Sequence, residues 1–436
     1  MRLSVTVLSV LVLLASGAAR ATRADDVTYR NLTERALEVL REAERLYYAG
    51  DGPRAAALAR RARLLLEQAD AQKPRDGAVA FLAVQAAVFA GDRKGADLWL
   101  RRYAARTAYG ERDPNLHYAR ALVSLYLDGR PDRALKALDA MRRVAPAVRT
   151  RAYDVLRYAV LMAEGKRLTG IRDCERAIPL YQDAVRLARR MGERRKELAA
   201  RANVGMAYHV CDRLVEAEDV FRRLVTDDPG NALWHWYYAL SLANQAKFEA
   251  AVAPYERVIQ MLESAKVPAP QVAFLRRAYL KLGNCYRSLS ARAADPKAKR
   301  RDLTLARTAL EQFVALEPRS VPGRYWLGVL LYEEFGLPYE AMKHFERAQA
   351  LDPVCDGSLR YLIRIASRQG PPPPKDGAGA KDGAGAKDGA SEKGARKAWS
   401  ERIEAWQRDY EAHREERELI RKKRKKTSLD GTDGCS

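Results

Sequence analysis

Residues 205–229 read GMAYHVCDRLVEAEDVFRRLVTDDP, and this stretch decides the fold. Within it, a series of small, aromatic and apolar residues ends in a proline: Gly205, Tyr208, Ala217, Phe221, Leu224 and Pro229. These offsets are typical of a helical hairpin that repeats about every 34 residues. A single hairpin cannot bury its apolar face alone, so neighbouring hairpins must stack. The stretch therefore predicts an all-α fold, a superhelical solenoid of stacked helix-turn-helix repeats.

Related patterns extend in both directions and predict about eight hairpins over residues 25–368. Clear matches surround Tyr118 and Leu327, whereas the first two hairpins, near 31–69 and 76–110, are degenerate. Small residues at the helix crossing let two backbones approach, and the aromatic residues fill the space beside them. The aromatic residues and alanines of the pattern are therefore core residues, not a cofactor site.

Two segments depart from the regular pattern. The basic residues 295–302 interrupt the seventh hairpin and are predicted to form an exposed loop. Residues 359–367 follow the last hairpin and are predicted to form a closing helix over the end of the stack.

On these residues, the segment 201–353 resembles the tetratricopeptide repeat family, and the full array would cover roughly three quarters of the chain. The resemblance implies a right-handed superhelix. It also implies that the concave face, lined by the first helix of each hairpin, binds peptides or partner domains. The predicted function is thus that of a non-enzymatic protein-interaction scaffold.

The N-terminus has the three-part layout of a secretory signal peptide. Arg2 precedes an apolar run over residues 3–15, and the small residues Ala19 and Ala21 follow. The run is shorter than the roughly 20 apolar residues of a membrane span, although an uncleaved anchor is an alternative. We predict a signal peptide over residues 1–24 and an exported protein of the periplasm or cell envelope.

The sequence lacks the spacings of common catalytic and metal sites. Its five histidines are scattered, and no Cys-x-x-Cys pair is present. It contains no nucleotide-binding loop and no nucleophile elbow. We therefore predict no catalytic residue, no cofactor and no metal, and a protein that is not an enzyme.

Five cysteines would enter the oxidising compartment that the signal peptide predicts: Cys174, Cys211, Cys285, Cys355 and Cys435. In the repeat frame, Cys174 and Cys211 lie at the same end of successive hairpins. They are candidates for a disulfide, and the alternative is that both are buried thiols. The odd number leaves at least one thiol free or paired between chains.

Function in a solenoid depends on the exposed positions of the first helices. In the repeat frame, the candidate partner-binding residues are Met206, His209, Trp236, Leu240, Asn244, Asn284, Arg287, Tyr325 and Tyr332. This mixture suits a partly apolar peptide or helix, although the large aromatic residues could instead pack against neighbouring repeats. Some members of the family grip a C-terminal carboxylate with a set of Lys, Asn and Arg. Asn284 and Arg287 resemble fragments of that set, but the preceding Lys–Asn pairs are missing.

The C-terminal part changes character. Repeats of Lys-Asp-Gly-Ala-Gly-Ala predict a disordered linker over 369–397, followed by a charged amphipathic helix over 398–426 and a disordered tail over 427–436. The helix carries an apolar stripe with candidate contact residues Trp399, Ile403, Trp406 and Tyr410. This stripe could dock on the solenoid, pair with a partner helix or lie on an anionic membrane surface. A charged single helix with incidental aromatic residues is the remaining alternative.

The formal net charge of +22 raises an alternative function. The basic solenoid and tail could drive binding to an anionic surface or to nucleic acid. However, much of the charge occurs as arginine pairs on the presumed outer helices, such as Arg101–Arg102 and Arg222–Arg223. This distribution favours a solvated face. No basic strip interleaved with aromatic residues is present, so a nucleic-acid partner is not expected.

Overall fold

The computed structural model describes residues 24–147, 150–264, 269–353, 355–371 and 388–412. Across these residues the chain contains 18 α-helices and no strand. The prediction of an all-α fold built of stacked helical hairpins is confirmed.

The chain divides into two compact units between Val220 and Phe221. The helices of the first unit are α1 (Ala24–Tyr48), α2 (Gly52–Gln72), α3 (Gly77–Phe89), α4 (Arg93–Arg106), α5 (Pro114–Tyr126), α6 (Pro131–Val144), α7 (Arg151–Gly170), α8 (Cys174–Arg190) and α9 (Arg194–Val210). Helix α10 (Leu214–Asp227) spans the division. The helices of the second unit are α11 (Ala232–Asn244), α12 (Phe248–Ser264), α13 (Ala269–Arg292), α14 (Pro296–Leu316), α15 (Val321–Glu333), α16 (Pro338–Leu351), α17 (Asp356–Gln369) and α18 (Asp388–Ala412).

The two helices of a hairpin pack closely because a glycine on the first faces an aromatic ring on the second. In the second unit, a Cβ atom added to Gly328 of α15 would lie 2.9 Å from the ring of Phe345 on α16. Real Cβ atoms do not approach so closely, so only glycine fits this crossing. Phe345 is fully buried there.

Four of the six pattern residues in the opening stretch are buried. Gly205 is buried, and Ala217, Phe221 and Leu224 have no exposed surface. The ring of Phe221 stacks on that of Tyr237, with centroids 5.0 Å apart. These residues hold the helices together, which leaves recognition to other positions.

The turn inside a hairpin needs a residue with positive φ. Gly91 and Gly129 supply it in the second and third hairpins, at φ of 72° and 59°. In three later hairpins, non-glycine residues adopt the same conformation: Arg172, Asp212 and Ala246, with φ between 57° and 59°. Side chains at positive φ are strained, so these three turns store a small energetic cost.

Two predicted boundaries are wrong. Residues 296–302, predicted as an exposed loop, form the first turns of α14. The reason is local, since Asp295 caps the helix by accepting hydrogen bonds from the backbone N–H groups of Lys297 and Ala298. The last ten residues assigned to the disordered linker, 388–397, belong to α18, which begins at Asp388 rather than at residue 398.

A disulfide joins Cys174, at the start of α8, to Cys211, which follows α9. The two Cα atoms are 6.5 Å apart and the residues are separated by 37 positions in sequence. The same two turns are also joined by an ion pair between Arg172 Nη2 and Asp212 Oδ2, at 2.7 Å. Cys285 is a buried free thiol, and burial raises its pKa to about 12.

Several predicted segments lie wholly or partly outside the described residues: the signal peptide before Ala24, the linker over 372–387, the helix over 413–426 and the tail over 427–436. Of the helices that are described, none combines the length and the apolar character that crossing a bilayer would need.

Candidate functional site

Helices α13, α15 and α17 bring polar and aromatic side chains together in the second unit. We call this group the Arg287 site, and its residues are Asn284, Arg287, Tyr325, Trp326, Tyr332 and Tyr361. Asn284 and Arg287 lie three residues apart on α13, and this spacing places them on one face of the helix. Tyr325, Trp326 and Tyr332 come from α15, and Tyr361 comes from α17.

Arg287 is held by an aromatic ring rather than by an acid. Its guanidinium carbon lies 4.1 Å from the centroid of the Trp326 ring. Within the described residues it forms no ion pair, and its buried Nε has no hydrogen-bond partner. Burial lowers the pKa of Arg287, and the surrounding Tyr325, Tyr361 and Glu334 partly oppose that effect. The site therefore contains a cation with unused hydrogen-bonding capacity.

Asn284 adds an unused acceptor one turn away. Its Oδ1 atom is buried and has no hydrogen-bond partner among the described residues. Buried polar atoms are normally paired, because leaving one unpaired costs about 1–3 kcal/mol. An unpaired donor and an unpaired acceptor of the described residues thus lie one turn apart on α13. Because both atoms are buried, a ligand such as a peptide backbone would reach them only if the surrounding side chains moved.

The aromatic rings form the rest of the site. The Tyr325 ring centroid is 5.1 Å from that of Trp326 and 6.1 Å from that of Tyr361. Tyr361 stacks on the buried Phe345 at 4.9 Å and meets Tyr332 edge-on at 5.9 Å. Because Tyr325, Trp326, Tyr332 and Tyr361 are all half-buried, they offer ring surface and hydroxyl groups while resting on the core.

A second arginine at the edge of the site is already paired. Arg364 of α17 donates to Glu333 at 3.2 Å and lies over the ring of Tyr332, 5.7 Å from its centroid. Glu334 also forms an ion pair, with its Oε2 3.3 Å from Lys299 Nζ. Arg287 is therefore the basic residue of the site that retains capacity for an anionic or carbonyl group.

The other predicted partner-binding residues lie on helices α9 and α11. Trp236 and Leu240 are only 5% and 8% exposed, so the prediction that they are surface anchors is wrong. Trp236 packs edge-on against Tyr255 and Phe274, with centroids 5.6 and 6.2 Å apart. Its neighbours therefore cover the ring.

The remaining candidates have different environments. Met206 and His209 are half-buried on α9 of the first unit, and Asn244 is exposed at the last position of α11. Trp326 and Tyr361 belong to the Arg287 site but were not predicted. Trp326 adjoins the predicted Tyr325, and Tyr361 lies on the helix that was interpreted only as a cap.

The four aromatic and apolar residues of the C-terminal helix lie against the second unit. Trp399 is buried, and its Nε1 donates a hydrogen bond to the carbonyl of Ala366 on α17 at 3.1 Å. Ile403, Trp406 and Tyr410 pack on the same core. Of the alternatives for this stripe, the structure shows docking on the helical stack.

Polar contacts complete the docking of α18. Arg402 forms an ion pair with Glu346 of α16, with Nη2 and Oε1 2.6 Å apart. Arg360 of α17 donates to the hydroxyl of Tyr410 at 3.1 Å. Helix α18 thereby covers an outer face of α17, the last helix of the predicted repeat array.

Comparisons with known proteins identify the repeats. The sequence model of the tetratricopeptide repeat family matches residues 162–232, 212–266 and 291–354. The chain therefore contains tetratricopeptide repeats. No curated protein matches it significantly.

Solved structures that resemble the chain include three helical-repeat proteins. "MamA 41-end from Desulfovibrio magneticus RS-1" is 16% identical, with a TM-score of 0.36 over 45% of this chain and 96% of that one. YrrB, described as a TPR protein with an unusual peptide-binding site, is 17% identical, with a TM-score of 0.35 over 46% and 89%. The apo form of RapI is 9% identical, with a TM-score of 0.49 over 76% and 91%.

Proposed function

Since the chain contains tetratricopeptide repeats, we propose that it is a non-enzymatic protein-interaction scaffold and that the Arg287 site binds a peptide segment of a partner protein. One observation carries the proposal. Arg287 Nε and Asn284 Oδ1 are both buried without a hydrogen-bond partner among the described residues, and four half-buried aromatic rings belong to the same site. A surface with no ligand would have little reason to keep both atoms unpaired.

The chemistry of the site defines what the peptide must provide. The guanidinium of Arg287 donates to a carboxylate or a backbone carbonyl, and such charge-assisted hydrogen bonds are the stronger kind. Asn284 accepts from a backbone N–H group. Tyr325, Tyr332 and Tyr361 give an apolar or planar side chain a surface on which to pack. We therefore expect a partner segment that carries an acidic or carboxyl-terminal group next to an aromatic or aliphatic residue.

The cell envelope is the proposed location. The predicted signal peptide motivates this proposal, and the disulfide between Cys174 and Cys211 supports it. Disulfides persist in exported proteins and are rare where thiols are kept reduced.

Purely electrostatic binding to an anionic surface or nucleic acid has less support. Many arginines of the helical stack are engaged by acids of the same chain, including Arg106 with Asp70 and Arg190 with Asp154 at 2.7 Å. Paired charges attract polyanions less than free ones, because the field of each pair falls off quickly.

Partner capture from envelope extract tests the proposal. The full-length chain would be compared with Arg287→Gln and with Arg277→Gln, an exposed arginine on the same helix. We expect capture in moderate salt by the parent chain and by Arg277→Gln, and at least tenfold less by Arg287→Gln. Equal capture by all three chains, or no capture by any of them, would overturn the role of the Arg287 site.

The salt dependence of capture separates the two functions. If the Arg287 site binds through its aromatic rings and one arginine, the affinity for the partner should fall only slightly as the salt concentration rises. If binding to a polyanion is electrostatic and uses many contacts, the affinity should fall by several orders of magnitude. A steep loss that is the same for Arg277→Gln and Arg287→Gln would favour the electrostatic alternative.

A further inference from the structure

A second cluster of aromatic rings, in the first unit, surrounds a carboxylate instead of a guanidinium. We call it the Glu44 site. It is formed by Glu44 and Tyr48 of α1, Phe89 of α3, and Tyr118 and Tyr126 of α5. These are the first helices of the first three hairpins, and Glu44 and Tyr48 lie four residues apart on one face of α1.

The rings are fixed by contacts with one another. The hydroxyl groups of Tyr48 and Tyr126 are 3.3 Å apart, and the ring of Tyr48 meets that of Phe89 with centroids 6.4 Å apart. Tyr47 packs behind them, 5.4 Å from Phe89 and 5.7 Å from Tyr126. Tyr48, Tyr118 and Tyr126 are half-buried, so each residue keeps some solvent-accessible surface.

The carboxylate of Glu44 has no protein partner in the described part of the chain. It takes part in no ion pair and no hydrogen bond there, although it is half-buried. Burial raises its pKa to about 7. Burial also raises the pKa values of Tyr48, Tyr118 and Tyr126, and the charge of Glu44 adds to each of these shifts.

Elsewhere in the chain, aromatic faces attract the chain's own cations. Lys73 Nζ lies 4.5 Å from the centroid of Tyr29, and the guanidinium carbon of Arg213 lies 4.6 Å from that of Tyr208. In the described residues, no lysine or arginine lies over a ring of the Glu44 site. The site thus combines aromatic faces with an acid that no basic side chain neutralises.

We propose that the Glu44 site binds an organic cation, a guanidinium or ammonium group, between the carboxylate of Glu44 and the rings of Tyr48, Tyr118 and Tyr126. A cation over an aromatic face is attracted to the ring, more strongly when water is excluded, and aromatic cages use this attraction for ammonium groups. An ion pair with Glu44 adds a charge-assisted hydrogen bond. This binding site is separate from the Arg287 site and has the opposite charge preference.

Two sources can supply such a group: a basic side chain of a polypeptide and a free small cation. N-acetyl-arginine amide represents the first and choline represents the second. The neutral isostere 3,3-dimethylbutanol controls for hydrophobic binding to the rings. A chain with a formal net charge of +22 repels cations in general, so saturable binding of a cation would report a local site.

Calorimetric titration of the full-length chain with each probe at pH 8 tests the proposal. We expect saturable binding of at least one cation and none of the neutral isostere. Glu44→Gln should weaken binding at least tenfold, whereas Glu38→Gln, an exposed acid on the same helix, should leave it unchanged. Tyr126→Phe should retain binding and Tyr126→Leu should weaken it, because the cation needs the ring and not the hydroxyl.

The titrations distinguish the two sources of the cation and also define the results that would overturn the proposal. Binding of only the arginine amide would assign the site to a basic side chain of a polypeptide, and binding of only choline would assign it to a free cation. Absence of saturable binding to both cations would overturn the proposal. So would binding that is equal in Glu44→Gln and Glu38→Gln. Circular dichroism of each variant would check that the helices are intact.

Discussion

The guanidinium carbon of Arg287 lies 4.1 Å from the centroid of the Trp326 ring, and the buried Nε of the same arginine has no hydrogen-bond partner in the described residues. An aromatic face can hold a cation in place without consuming its hydrogen bonds. Arg364 differs, since its Nη1 donates to Glu333 Oε1 at 3.2 Å. The contact with Trp326 therefore positions Arg287 without pairing it with an acid of the described residues.

Arg287→Met should remove ligand binding with little effect on folding. The lost cation–π contact costs about 0.5–1 kcal/mol. Removal of a buried donor without a partner offsets a similar amount. We expect the free energy of unfolding, measured by urea denaturation, to change by less than about 1 kcal/mol. Arg277→Met is the matched control. A loss of more than about 2 kcal/mol would mean that Arg287 has a structural role instead.

Trp399→Ala should release α18 from the helical stack. The substitution removes the buried ring and its hydrogen bond to the carbonyl of Ala366. Truncation of a buried Trp typically costs about 3–5 kcal/mol. In this chain the destabilisation cannot exceed the free energy with which α18 docks on the helical stack. We expect faster amide hydrogen exchange in α18, while α13 and α15 keep their protection.

The exposed Glu401→Ala on the same helix is the control and should leave exchange in α18 unchanged. A chain that ends at Gly370 should still unfold cooperatively, because the core of the second unit draws most of its residues from α11 to α17. If Trp399→Ala left exchange in α18 slow, the contact at Ala366 would not be what holds the helix.

The packing residues could be predicted because they obey a local rule. Ala217, Phe221 and Leu224 are buried. The pattern predicts this, because each hairpin presents the same surface to its neighbour. The cap at Asp295 was also visible in the sequence, as an acid followed by a proline. The density of basic residues after it favoured a loop, although lysine and arginine are good helix formers.

The residues of the proposed binding site could not be separated from the core by spacing alone. Trp236 and Trp326 both lie on first helices, yet Phe274 covers the former while Arg287 lies over the latter. Each residue turns the side chain by about 100° around the helix, so a shift of one position decides its exposure. The contacts of Tyr361 with Tyr325 and Tyr332 join the closing helix to the last hairpin, which no repeat frame specifies.

Ala246→Gly should stabilise the chain. Ala246 adopts a φ of 57° in the turn between α11 and α12, where an L-residue pays about 1 kcal/mol that glycine does not. Its carbonyl accepts a hydrogen bond from Arg292 at 3.0 Å, and the substitution keeps that bond. Because glycine loses more conformational entropy on folding than alanine, we expect the free energy of unfolding, measured by thermal denaturation, to rise by only about 0.5 kcal/mol. Gly91→Ala, at a φ of 72° in the equivalent turn, should shift stability the opposite way.

Reduction of the disulfide between Cys174 and Cys211 should destabilise the first unit. The cross-link closes a loop of 37 residues, and a loop of this size contributes about 3–4 kcal/mol in the chain-entropy model. We expect a lower melting temperature for the Cys174→Ser/Cys211→Ser variant. Cys285→Ala controls for loss of a thiol, since Cys285 is not cross-linked. A double variant as stable as the Cys285→Ala control would show that the cross-link contributes little.

Glu44→Gln should make the chain more stable at pH 8 and leave it unchanged at pH 4. In the folded chain the pKa of Glu44 is about 7, because burial disfavours the charged form, against an ordinary value of 4.5. The neutral acid is thus favoured by folding. Its stabilising contribution is fully present below pH 4.5 and is lost as pH rises through 7. Glutamine stays neutral, so the variant should exceed the parent by about 1–3 kcal/mol at pH 8 in urea denaturation. Glu38→Gln, at an exposed acid on the same helix, is the control.

A saturating cation that binds the Glu44 site should stabilise the parent chain alone and so reduce the stability difference between Glu44→Gln and the parent at pH 8. A stability difference that is the same at pH 4 and pH 8 would contradict a buried, titrating Glu44.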